Sequence, residues 1–429
     1  MSPDNLSRKV DRTPQRTPGA HRARPRRAAV AIAAAAAAAI VATAAVHHAA
    51  AEYVRPDFPV TLVVGPSLGP QPMARSDVAR TGRAARLPDA PRELWHRKIR
   101  GGLSLPPMVD ANGSIVIAAA VAELLQMTPD GNEQWHHGLG TSVASDGPVI
   151  LSDGTRVVLT SLGDAWGIGP DGSERFHADL SALGADPKVA PLPLDNGHLV
   201  VAIASNLAEI DSQGLLVDRT ALPERAVGML VASGSGVIAT GDSGKVYRWQ
   251  PPVAPRLVGS FGGIVRDGAI LSEPGSLAAV VDASRLVKLD LSSGSSDTLL
   301  SMPGMEGPPA VGPKGVLRVA GSAGLLVGMK GPDETLRTSL NAAPPTDQGA
   351  ADAGPAVPLY TTPSPPLVID RDGRVAFVRS DGRVGVVSPT GAVRAVDKPA
   401  CGSPFALVPA GDKKFLVACR NGSVKLYGE

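Results

Sequence analysis

The sequence predicts an all-β ring: an eight-bladed β-propeller, with seven blades as the alternative count. Three observations carry that expectation. One unit of strands and turns recurs about every 40 residues. Its apolar runs are four to seven residues long and are bounded by Gly, Asp or Asn. After residue 52 no stretch keeps a 3.6-residue period long enough for a helix.

The N-terminus is an address rather than a domain. Residues 1–27 form a basic cytoplasmic segment with eight Lys/Arg against Asp4 and Asp11. Residues 28–46 follow as an unbroken apolar run whose only polar member is Thr43, about the length a membrane helix needs. The basic block precedes that run, so the positive-inside rule puts everything after residue 52 outside the cytoplasm. Residues 28–51 are expected to anchor the chain in the inner membrane. The alternative is a signal peptide cleaved at Ala49-Ala50-Ala51, which would release a secreted protein. Residues 52–90 carry six prolines without periodicity and are expected to form an extended linker.

Composition narrows the range of partners and of core residues. The net charge of +2 with +6 in residues 1–27 leaves −4 for the remainder, so a phosphate-binding surface and nucleic-acid partners are not expected. The chain is 43% hydrophobic but only 3% aromatic, so its core must be built from Val, Leu, Ile and Ala. Gly and Pro, 48 and 40 residues, recur between the apolar runs as turns.

Residues 91–429 hold the repeat. Its first copies are PMVDANGSIVIAAAVAELLQMTPDGNEQWHH and PVILSDGTRVVLTSLGDAWGIGPDGSERFHA, and a late one is PLVIDRDGRVAFVRSDGRVGVVSPTGAVRAV. Marked by the first turn glycine, the copies start at Gly113, Gly154, Gly197, Gly236, Gly275, Gly315, Gly373 and Gly411. Six of the seven intervals lie between 38 and 43 residues; the 58-residue interval marks an insertion, a Pro/Ala/Asp-rich loop at 341–364. A second period is independent of the glycines. Glu93-Leu94-Trp95-His96, Glu133-Gln134-Trp135-His136 and Glu174-Arg175-Phe176-His177 repeat E-x-[WF]-H where an outermost strand is due. Trp95, Trp135 and Phe176 are therefore expected to dock one blade on the next. The first copy precedes any complete blade, and the last unit ends after three strands. Residues 92–100 are thus expected to supply the missing outer strand and close the ring. A ring closed in this way is expected to be monomeric.

At these residues the chain resembles the PQQ-like (quinoprotein-type) β-propeller family. The likeness rests on the Arg75-x-Asp77-x-x-Arg80-Thr81-Gly82 run leading to Leu94-Trp95, and on the blade ending of LLQMTPDGNEQWHH. Catalytic members, the resemblance implies, hold their quinone with adjacent cysteines, a Trp floor, calcium and an Asp base. Here Cys401 and Cys419 stand eighteen residues apart and most blades lack the Trp, so no cofactor is expected. Counting outward from the turn at Gly411 places the two cysteines within reach of one disulfide.

Other chemistry is weighed residue by residue. Asp370-Arg371-Asp372-Gly373, Asp110-Ala111-Asn112-Gly113 and Asp153-Gly154 each stop after one glycine and enter a strand, which suits hairpin turns better than a calcium loop. His96, His136 and His177 fall on different blades, too far apart to share one metal. Nothing pairs a nucleophile with its base. The expected function is a non-enzymatic scaffold binding an envelope protein or cell-wall component. The alternative is an enzyme, a lyase or hydrolase or a quinone-dependent dehydrogenase, with its site in the central channel. The first-strand segments PPMVD, GPVIL, VAPLPL, GAIL, PPAVG, PPLVI and FALVP are almost free of titratable residues, which favours the scaffold.

Overall fold

A computed structural model describes residues 82–340 and 367–429, apart from 104, 195, 232–235, 322–323, 380–381, 396–400 and 402. The apolar run 28–46 and the insertion 341–364 lie outside the described residues. Among the described residues, no helix is long and apolar enough to cross a membrane.

The described chain folds as eight blades, not the seven of the alternative count. Blades I to VII run from innermost to outermost strand in chain order: I spans 108–138, II 144–179, III 189–221, IV 226–260, V 270–301, VI 305–339 and VII 368–395. Blade VIII takes three strands from the C-terminus, Pro404–Pro409, Lys414–Cys419 and Ser423–Gly428. Its outermost strand is Arg92–Lys98, antiparallel to Ser423–Gly428 with Arg92 opposite Gly428 and Lys98 opposite Ser423. Lys425 Nζ, nearly buried, meets Glu93 Oε2 at 2.7 Å across this seam. The two ends of the ring are joined as their sequences require.

Burial explains the pattern in the sequence. A middle strand such as Ile115–Ala119 or Leu199–Ile203 is covered on both faces by neighbouring blades, so it must be apolar at every position. An outermost strand such as Arg92–Lys98 alternates exposed and half-buried and tolerates charge. The core is accordingly a circuit of layers between blades, filled by aliphatic side chains with few rings among them. First-turn glycines supply the positive φ that each hairpin needs: Gly113, Gly154, Gly197, Gly275, Gly315, Gly373 and Gly411 lie between +73° and +105°.

One boundary differs from expectation. Residues 82–90, which composition assigns to the linker, are packed on the ring. Arg83–Ala84 adds a fifth, innermost strand to blade VII, parallel to Val368–Asp370. The chain then crosses blade VIII: Lys413 N–H donates to the Arg86 carbonyl (3.1 Å), and Asp89 N–H to Glu429 Oε1 (2.9 Å). Leu87 is 1% exposed in the layer between blades VII and VIII. Proline content marked this segment as extended; it could not show that the extended chain had an edge to pair with.

Candidate interaction surface

The aromatic residues of the E-x-[WF]-H copies sit on outermost strands and face the next blade. Trp95 Nε1–H donates to the Pro129 carbonyl, and Trp135 Nε1–H to the Pro170 carbonyl, both at 2.9 Å. Each ring lies on a glycine in the turn that comes next. A Cβ at Gly131 would come within 3.3 Å of the Trp95 ring, one at Gly172 within 2.8 Å of Trp135, and one at Gly214 within 2.6 Å of Phe176. The geometry recurs once more, between blades VI and VII, where Leu336 covers Gly391 and the Thr338 hydroxyl donates to the Gly391 carbonyl (3.0 Å). That copy reads Glu334-Thr335-Leu336-Arg337, and an aliphatic residue in place of the ring hid it from a search for aromatics.

The three histidines of these copies do not converge. The His96 ring is 3.3 Å from the Ser423 hydroxyl, His136 pairs with Glu133 at 2.9 Å, and His177 stacks on Trp166 with ring centres 3.9 Å apart. The hydrogen bond that the His136 ring donates to the Glu133 carboxylate raises the pKa of His136, as expected of a surface pair. Among the described residues no three His, Cys, Asp or Glu side chains are grouped to hold a metal ion. Cys401 and Cys419 are bonded, with Cα atoms 6.4 Å apart; they tie the crossover into blade VIII to the end of its second strand.

The Asp-rich turns are occupied with their own backbone. Asp110 Oδ1 accepts the Asn112 and Ser114 amides while its Oδ2 meets Arg156 of blade II at 3.0 Å, a pair almost entirely buried. Burial lowers the pKa of Arg156, and Asp110 opposes that shift. Asp370 repeats the arrangement, with the Leu87 amide of the N-terminal segment donating to its Oδ2 at 2.9 Å. Burial raises the pKa of Asp370 despite these donors. In blade III His198 Nδ1 lies 2.6 Å from the nearly buried Glu209. No Ser, Thr or Cys among the described residues hydrogen-bonds that ring.

The innermost strands carry more acid than the segments marked in the sequence. In blades II and VI they begin earlier, at Ala144 and Met305, and so take in Asp146 and Glu306. Gly147-Pro148 and Gly307-Pro308-Pro309 interrupt the ladders there, with register shifts, and from sequence they look like strand starts.

The outer rim is uneven. Outermost strands of blades I, II, VI and VIII are studded with Glu, Asp, Arg or His. Blades III and IV instead expose Leu215, Leu216, Val217, Val253 and Leu257, each between 47% and 66% accessible. Two neighbouring blades therefore present apolar side chains beside strand edges whose outward backbone groups have no sheet partner. Charge on an edge strand blocks further pairing; Asp218, Arg219 and Arg256 are the charged residues on these two outermost strands.

No family model and no curated protein matches this chain. Solved structures do. BamB from Moraxella catarrhalis is similar over 79% of this chain and all of its own, with TM-score 0.57 and 13% identity. The computationally designed protein Ika8 is similar over 78% of this chain and 98% of its own, with TM-score 0.58 and 14% identity. At such identities the likeness is one of fold, and the fold is a β-propeller.

Proposed function

We propose that this chain is a non-enzymatic scaffold of the cell envelope, a non-catalytic relative of the PQQ-like propellers. It is held outside the cytoplasm by residues 28–46 and binds an envelope protein at the rim of blades III and IV. The observation that carries this reading is the apolar rim itself. Isolated apolar residues on a surface are ordinary, but several on adjacent open edges mark an interaction site. An extended partner segment can add to such an edge, with backbone hydrogen bonds giving affinity and the apolar side chains giving selectivity.

Capture from crosslinked membranes tests the reading, comparing the natural chain with a Leu216→Lys, Val253→Lys, Leu257→Lys variant. The substituted positions are exposed, so the variant keeps its melting temperature and loses the captured protein. Equal capture by both proteins contradicts a rim site.

A further inference from the structure

One position of the repeat breaks its own pattern between blades VI and VII. On the second strand of each blade, one residue lies opposite the next-to-last residue facing it across the first hairpin. It is aliphatic in seven blades: Val116, Val157, Val200, Ile238, Ala278, Ala376 and Leu416. Each of the seven is buried against the following blade. In blade VI the residue is Arg318, opposite Ala310 and only 6% exposed. Ala310 and Ala320, on the same face of the sheet, line the layer against blade VII, so Arg318 points into an apolar layer. Room for it is made on the third strand. Gly328 lies opposite Arg318, and a Cβ there would overlap the guanidinium. The φ of Gly328 is not positive, so space rather than backbone conformation accounts for this glycine.

The guanidinium is held in place but not neutralised. Nη1 donates to the Thr335 hydroxyl at 3.2 Å, and Nε has no acceptor. Among the described residues no carboxylate pairs with Arg318. Glu334, beside Thr335, forks onto Arg337 instead, at 2.8 and 2.6 Å. Arg156 and Lys425, similarly buried, do meet acids, Asp110 and Glu93. Burial lowers the pKa of Arg318 with no acid opposing the shift, yet an arginine side chain keeps its proton in proteins. A buried charge without a partner is strongly destabilising, and buried charges are accordingly paired.

We propose that Arg318 receives a carboxylate that enters from the rim between blades VI and VII. Thr335 is exposed on the outermost strand of blade VI, so the guanidinium lies one hydrogen bond below the surface. The planar fork of a guanidinium matches the two oxygens of a carboxylate. The charge also fits. One cation is balanced by one negative charge, and Ala310, Ala320, Leu326 and Leu336 supply no second cation for a phosphate dianion. The carboxylate is carried by a small molecule or by an acidic side chain of a partner protein, and its chemistry at Arg318 is the same in either case.

Scanning calorimetry of the full chain, with acetate exchanged for chloride at constant ionic strength and neutral pH, tests the proposal. Acetate raises the melting midpoint by about 2 °C for each tenfold increase above its Kd. Arg318→Met keeps the layer filled, melts no lower than the natural chain in chloride alone, and gives no response to acetate. Arg318→Lys keeps the charge without the fork and needs at least about tenfold more acetate; it stands in if Arg318→Met does not fold. A capped glutamate that acts at lower concentration than acetate, with the capped glutamine inert, identifies an acidic side chain as the source. The reverse order identifies a small carboxylate. No acetate response in the natural chain, or an equal response in the Arg318 variants, overturns the proposal. The reading of the rim of blades III and IV is judged by capture alone and does not depend on this result.

Discussion

Leu87→Ala asks whether residues 82–90 belong to the fold or merely lead into it. The Leu87 side chain is 1% exposed and lies in one layer with Ala84, Val368, Phe415 and Tyr427, between blades VII and VIII. Truncating a buried leucine costs about 2–5 kcal/mol, more where the surroundings cannot collapse into the space. Here one wall is a short segment free to settle, which argues for about 3 kcal/mol. A domain of roughly 350 residues unfolds with an entropy of about 0.7 kcal/mol/K, so that loss lowers the melting midpoint by about 4 °C. Thermal melting followed by far-UV circular dichroism reads the shift. Leu215→Ala, on the exposed rim, is the control and should stay within about 0.5 kcal/mol of the natural chain. A Leu87→Ala protein that melts with that control would refute the packing of residues 82–90.

Three further outcomes are expected of the same structure. Trp135→Ala should destabilise by about 2 kcal/mol, below the roughly 3–5 kcal/mol of a fully buried ring because Trp135 is half-exposed, and a smaller loss from Trp135→Ala than from Gln134→Ala would show that the ring does not dock on Gly172. Reduction of Cys401–Cys419 should cost about 3 kcal/mol by loop entropy for an 18-residue separation; free thiols on both residues in protein purified without reductant would contradict the bond. Burial opposes ionisation of Glu224, but hydrogen bonds from Ser243 and Tyr247 outweigh it and hold its pKa below the usual value. That depressed pKa makes a contribution to stability that is full above the ordinary carboxylate range and lost as pH falls through the folded value. Glu224→Gln should thus be less stable near neutrality and less sensitive to acid below about pH 4, and parallel acid profiles for the two proteins would refute this.

Much of the ring was legible because its strongest signals are local. At seven of the eight first hairpins the glycine has positive φ, which favours glycine over any residue with a side chain, so its spacing stands out even where side chains differ. Apolar strands covered on both faces cannot accept charge, so they stand out in any copy. Signals that depend on a distant partner were harder to see. Leu336 performs the same docking as Trp135, yet only its position over Gly391 shows it. Asp146 and Glu306 lie on innermost strands behind Gly-Pro interruptions that look like strand starts. Residues 82–90 carry no pattern of their own, since their pairing is supplied by Ile369, Asp370, Lys413 and Glu429, hundreds of residues later. The apolar rim was equally hidden: Leu216 and Val253 look like core residues until the sheet order places them on outer edges.

The most direct test of the closed eight-bladed ring is a pair of truncations. One begins at Gly82 and keeps the inner strand, Leu87 and Arg92–Lys98; the other begins at Ile99 and lacks them all. Closure predicts that the first melts cooperatively as a folded ring. The second exposes the edge of Ser423–Gly428 and the layer around Tyr427, and should unfold or aggregate at ambient temperature. A synthetic peptide spanning residues 82–98 should restore its cooperative melt. Two truncations that melt at the same temperature, with no response to the peptide, would contradict closure by the N-terminal segment.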